Sequence, residues 1–173
     1  MTDSAHDTLG RHFRTPAHPD VLTALGRSIY NFLSLEESVV AILYDAEFAP
    51  LNVTRARMAG AKEHQLRSLA KRYRKSTNGS AVAPILVEAA DAFHAALAQV
   101  RNRVSHSQPY TAGTDEHGEY LPGLAYTADN GSSQVIVEKP SDLLDLAEQI
   151  EEAIDALSAA RAAVAQLPTS QLT

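Results

Sequence analysis

The chain has 173 residues and no cysteine, which excludes a disulfide framework, thiolate metal sites and a cysteine nucleophile. Its 15 Lys and Arg against 21 Asp and Glu give a formal charge of -6, which argues against a uniformly basic nucleic-acid coat. The charge is uneven: residues 1–54 sum to -4, residues 55–75 to +7 and residues 76–173 to -9.

Residues 1–18 read as a flexible leader, with no hydrophobic period and with Pro16 and Pro19 as breakers. His6, His12 and His18 are spaced six apart there and fit no compact metal site. No apolar signal core is visible, and no run reaches the roughly 18 apolar residues that a spanning helix needs. The expectation is a cytoplasmic protein without a membrane segment. Aromatic residues make up 6% and Trp is absent, while Ala is frequent, which suits closely packed helices.

A first helix is expected from Asp20, an N-cap after Pro19, to about Glu47. Leu22, Leu25, Ile29, Leu33, Val40 and Leu43 fall on one helical face. Glu36 lies on that same stripe. A buried carboxylate needs a partner, and Arg101 or Arg103 is the natural one.

Thr54 can cap a second helix running to about Lys75, with Leu66, Leu69, Ala70 and Tyr73 inward. Arg57, His64, Arg67, Lys71 and Lys75 then form one basic stripe. Three readings of it stay open: a track for RNA, a solvated face, or a surface that holds the acidic last helix.

Ser80 starts a third helix, with Pro84 tolerated in its first turn. Its apolar face is Ile85, Ala89, Phe93, Ala96, Val100 and Val104. Between Pro109 and Pro140 the pattern changes to short β-branched runs. Leu124–Thr127 and Gln134–Glu138 read as two strands joined by a turn at Asp129-Asn130-Gly131, with weaker strand signals near Tyr110 and Tyr120. Ser141 caps the last helix, whose stripe is Leu143, Leu146, Ile150, Ile154, Leu157 and Val164. The fold expected is mainly α: four long helices with a small β-hairpin between the third and fourth, the insert spanning about 109–139. One helical domain covers 19–168 and a tail covers 169–173.

One stretch carries the chemistry: Arg101-Asn102-Arg103-Val104-Ser105-His106, at the end of the third helix. If the helix continues through it, Asn102 and His106 share a face. Arg101 and His106 are then about 140° apart. A phosphate could be gripped between them at the rim of a groove, or by two copies of the chain.

This stretch resembles the Arg-x(4–6)-His motif of the HEPN superfamily, and the order of helices, motif, hairpin and last helix is similar too. The resemblance covers about residues 20–167 and implies a HEPN-like four-helix bundle that works as a homodimer. Many members are metal-independent endoribonucleases of toxin–antitoxin and phage-defence systems. Others are inactive modules for dimerisation or for binding a partner or nucleotide. Gln108 stands where many nuclease members carry Tyr, so both classes stay open.

In the active case the resemblance implies 2′-hydroxyl attack on the adjacent phosphate. His106 is then the general acid or base, Arg101 holds the phosphate, Asn102 orients one of them, and Glu36 supports. It further implies an RNA substrate and an antitoxin or defence partner. In the inert case Arg101 pairs with Glu36, and Asn102 and His106 bond helix-end carbonyls. No Gly-rich phosphate loop, metal-ligand spacing or nucleophile elbow is present, so neither a metal nor an organic cofactor is expected.

Overall fold

The computed structural model describes residues 18–76, 79–127 and 135–167. The elements run α1 (Pro19–Asp45), α2 (Leu51–Arg55), α3 (Ala59–Lys75), α4 (Val82–Val100), a π-helical turn (Arg101–Ser105), β1 (Gln108–Thr114), β2 (Tyr120–Thr127), β3 (Val135–Glu138) and α5 (Pro140–Ala165). Four long helices therefore stand where the sequence places them, with the short α2 added. Residues 1–17 of the expected leader, the turn at Asp129-Asn130-Gly131 and the tail lie outside the described residues.

Helix α1 starts one residue before the expected cap. Pro19 is its first residue, where its missing N–H loses nothing, and the Asp20 N–H donates to His18 Nδ1 at 3.3 Å. His18 thus belongs to the helix cap rather than to the leader. Thr54 does not cap the long second helix. It lies inside α2, where its hydroxyl donates to the Pro50 carbonyl at 3.1 Å. Met58 is the N-cap of α3, so Arg57 falls in the connection and off the basic stripe. Gly79 is needed where the chain turns into α4, because a Cβ there would meet the Tyr73 ring at 2.7 Å. Helix α5 begins at Pro140 rather than at a Ser141 cap, and the Lys139 N–H donates to Asp142 Oδ2 at 2.8 Å.

The insert is a three-stranded antiparallel sheet in the order β1-β2-β3, one strand more than the expected hairpin. The weak strand signals near Tyr110 and Tyr120 are parts of β1 and β2. A tight turn joins these strands. Asp115 Oδ1 accepts from the N–H groups of His117 and Glu119, and Gly118 takes φ 80°. Leu124 of β2 pairs in register with Glu138 of β3.

The directions of the helices follow from their cross-links. Ser28 Oγ donates to the Leu143 carbonyl, Asn31 Nδ2 to that of Ala147, and Arg161 Nε to Asp45 Oδ2, so α1 and α5 run parallel. Glu63 meets His94 and Arg67 meets Asp91, so α3 and α4 run antiparallel. Arg103 reaches the Asp142 carbonyl, which sets the end of α4 beside the start of α5. Leu66, Leu69, Ala70, Tyr73, Leu86, Phe93, Leu146, Ile150 and Leu157 fill the core, much as the sequence stripes require. Phe32 stacks on Phe93 with ring centroids 6.0 Å apart and joins α1 to α4.

The α1 stripe is the main departure. Val40 and Leu43 are buried, but Leu22, Ile29 and Leu33 on the same face are exposed. The reason is where α3 begins. Lys62, in its first turn, meets Glu36, so α3 covers α1 only from that level onward. Upstream, α1 turns a different set inward: Val21 and Ala24 pack with Leu124 and Leu143, and Ser28 is buried beneath α5.

Candidate functional site

The motif occupies the π-helical turn at the end of α4. Arg101 opens this turn and His106 is its C-cap, so the two ends of the motif bracket a winding wider than the α-helical continuation expected. Wide turns of this type recur at functional sites. The side chains of Arg101 and Asn102 lie outside the described residues. His106 closes the turn with φ -104° and ψ 5°, and its backbone N–H donates to the Val104 carbonyl. Its side chain is exposed, and among the described residues it has no hydrogen bond or ion pair.

Arg103, between Arg101 and His106 in sequence, has a mostly buried side chain. Its Nε donates to Glu138 Oε1 at 2.6 Å and its Nη2 to the Asp142 carbonyl at 3.1 Å. One arginine therefore ties the motif turn to β3 and to the first turn of α5. Glu138 Oε2 is buried with no hydrogen-bond partner among the described residues. Tyr126 lies nearby; burial first, then the charge of Glu138, raises its hydroxyl pKa against the opposing effect of Arg103. Ser107 Oγ donates to the Arg103 carbonyl and helps close the turn. This anchor was not legible in the sequence. Arg103 and Glu138 are 35 residues apart, and no spacing rule joins them.

Glu36 is not partnered by Arg103, as the sequence suggested. Its carboxylate accepts from Lys62 Nζ at 3.1 Å, and both side chains are largely buried. Its place is the junction of α1 and α3.

The basic stripe is only partly continuous. His64, Lys71 and Lys75 are exposed on α3, whereas Arg57 lies in the preceding connection. Arg67 is occupied: Nε meets Glu63 Oε1 at 2.7 Å and Nη1 meets Asp91 Oδ1 at 2.8 Å. The hydrogen bonds that it donates to those two carboxylates raise its pKa further. Its acidic partners come from α3 itself and from α4, not from the last helix.

The same contacts bring in a second histidine, outside the motif. His94 Nδ1 lies 3.1 Å from Glu63 Oε2. Burial pushes Glu63 up, but the hydrogen bonds and charges of Arg67 and His94 outweigh it and hold the carboxyl below its ordinary range. The Glu63/Arg67 pair was readable as an i,i+4 contact. His94 belongs to another helix and was not.

Among the described residues no group of three or more His, Asp or Glu is placed to hold a metal ion. None of the described helices is long and apolar enough to cross a membrane. A shallow hollow lined by Tyr44, Asp45, Phe48 and Pro50 sits at the C-terminal end of α1, away from the motif. No protein-family model, curated protein or solved structure matches this chain.

Proposed function

We propose that this protein is a HEPN-like, metal-independent endoribonuclease that uses Arg101, Asn102 and His106 of two copies of the chain. The observation that carries the reading is His106, exposed and unpartnered among the described residues, at the close of the π-helical turn that Arg101 opens. Arg103 contributes by holding that turn from below, so His106 is left to face solvent while the turn keeps its shape.

In this reading the 2′-hydroxyl oxygen attacks the adjacent phosphorus and the bond to the 5′-oxygen breaks. One His106 takes the 2′ proton, and its counterpart in the second copy returns a proton to the leaving 5′-oxygen. An imidazole suits both roles because its unperturbed pKa lies near neutrality. Arg101 offsets the charge that builds on the phosphate, and its forked donors match two oxygens. Asn102 orients the phosphate or the imidazole. Exposed His64, Lys71 and Lys75 supply a short phosphate track.

The test is product analysis. RNA incubated with the protein in EDTA should yield 2′,3′-cyclic phosphate and 5′-hydroxyl ends. Products with 5′-phosphate ends, or a requirement for added metal, would reject the mechanism. A toxin or defence setting, with a cognate antitoxin, belongs to the same proposal.

The alternative is a non-catalytic HEPN-like module for dimerisation or for binding a partner or nucleotide. The exposed apolar face of α1 favours it, because that face is built for contact whether or not chemistry occurs. Folded protein that never cleaves RNA, and that associates equally well without His106, would select this second reading.

A further inference from the structure

The N-terminal half of α1 exposes large apolar side chains that none of the described residues covers. Leu22 is 50% exposed, Ile29 43%, Tyr30 72% and Leu33 55%. They sit where α3 is missing: α3 covers α1 only from the Glu36–Lys62 contact onward. Some 14 residues before that level, about 20 Å of helix at 1.5 Å per residue, keep one flank open.

The composition of this face matches the centre of an interface. Leu22, Thr23, Gly26, Ile29, Tyr30 and Leu33 carry no charge, and interface centres lose charge and gain Tyr. Arg27 is the nearest charge on this side, and it is turned toward Glu151 of α5 at 3.6 Å. A lone apolar residue on a surface needs no explanation, but a continuous uncharged row does. Leu22, Gly26, Ile29 and Leu33 are spaced four, three and four apart, the seam along which two helices mesh.

Gly26 is the second observation. A Cβ added there would meet nothing within 4 Å, so no contact among the described residues requires glycine. In a helix interior it costs about 1 kcal/mol relative to Ala. Tyr30, one turn later, is the largest projection on the face. A bump and a hollow four residues apart are complementary to their own copy turned end for end.

We infer that two copies of this chain meet through α1, antiparallel, with Tyr30 of each seated over Gly26 of the partner subunit. The contact is isologous, so each pair occurs twice about a two-fold axis near Ser28. Each α1 then fills the place beside α4 that α3 leaves vacant in the other copy. This takes the contact beyond a single helix crossing, toward the roughly 800 Å² per partner that stable association needs. Ser28 is also level with the motif, because Ser28 bonds the Leu143 carbonyl and Arg103 that of the neighbouring Asp142. The axis therefore puts both motif turns at one height. The inference deepens the two-copy site of the proposed function, but it stands on the α1 face and holds if that site is inert.

The chain lacks cysteine, which makes the test direct. Full-length Gly26→Cys and Tyr30→Cys variants are made separately, mixed and oxidised mildly. The expected result is a disulfide-linked heterodimer of the two variants, with little linkage in either variant alone. Light scattering should give a dimeric mass for wild type and a monomeric mass for Ile29→Glu/Leu33→Glu, with helical circular dichroism retained. Met58→Glu, at an exposed residue off this face, should stay dimeric. A monomeric wild type, a dimer that survives Ile29→Glu/Leu33→Glu, or homotypic linkage at position 26 would overturn the inference. RNA cleavage assayed in parallel separates the claims: a dimer that never cleaves keeps this face and rejects the chemistry, while a cleaving monomer does the reverse.

Discussion

Arg103 Nε lies 2.6 Å from Glu138 Oε1, and this pair joins the motif turn to the last strand of the sheet. Both side chains are mostly buried, at 16% and 6% exposure. A buried pair gives little net stability over apolar residues of the same size, but losing one member leaves an uncompensated charge. Arg103→Ala should therefore destabilise the fold by about 3–5 kcal/mol. Arg103→Met/Glu138→Leu should recover most of that. Urea unfolding of the two variants checks this, and equal losses in both would show that the pair matters for reasons other than charge.

Glu36 and Lys62 form the corresponding tie between α1 and α3. Lys62→Ala should cost a similar amount, about 3–5 kcal/mol, because it strands the Glu36 carboxylate. Glu36→Gln should lower the melting temperature while leaving any RNA cleavage per folded molecule unchanged. A selective loss of cleavage with full stability would instead return Glu36 to a supporting role in the site.

The cluster of Glu63, Arg67, Asp91 and His94 predicts a direction for pH. The Glu63 carboxyl titrates below its ordinary value near 4.5 in the folded protein. Its contribution to stability is thus complete above that ordinary value and is lost as pH falls through the folded one. Wild type should lose stability on acidification in this range, and Glu63→Gln should flatten that part of the profile. Unfolding midpoints measured across the acid limb provide the comparison, and an unchanged slope in Glu63→Gln would contradict the assignment.

Lys71 and Lys75 are exposed on α3, whereas Arg67 is held by two carboxylates. Lys71→Glu/Lys75→Glu should weaken RNA binding and make it less sensitive to salt, by about 0.7 in the logarithmic slope per lost phosphate contact on a single strand. Arg67→Glu should chiefly destabilise the α3–α4 contact. Binding isotherms at several salt concentrations decide between a track and a solvated face.

The helices were readable because period and caps are local. Leu66, Leu69, Ala70 and Tyr73 announced the inner side of α3, and Leu143 to Val164 that of α5. The short first strand was weaker, since Gly113 and Pro109 interrupt its pattern. The α1 stripe was correct as a geometric face but not as a buried one. Periodicity tells which residues align, whereas coverage depends on where a different helix starts. Thr54 looked like a cap because its residue type suits one. The five-residue α2 that absorbs it has too little periodicity to be seen. At the site, the motif's position at the end of α4 was legible. Its π-helical winding was not, and neither was the Arg103–Glu138 anchor, which joins residues on either side of the sheet insert.

His106 is the residue on which the proposed chemistry turns. Its side chain is exposed and unpartnered among the described residues, so His106→Ala should alter stability by less than about 0.5 kcal/mol. Any loss of activity in that variant is then chemical. The most direct measurement is RNA cleavage in EDTA by wild type beside His106→Ala, at matched folded concentration and on RNAs that include tRNA. The account predicts cleavage by wild type and its near-complete loss in His106→Ala. Equal cleavage by both proteins, or none by wild type on any RNA, would contradict it.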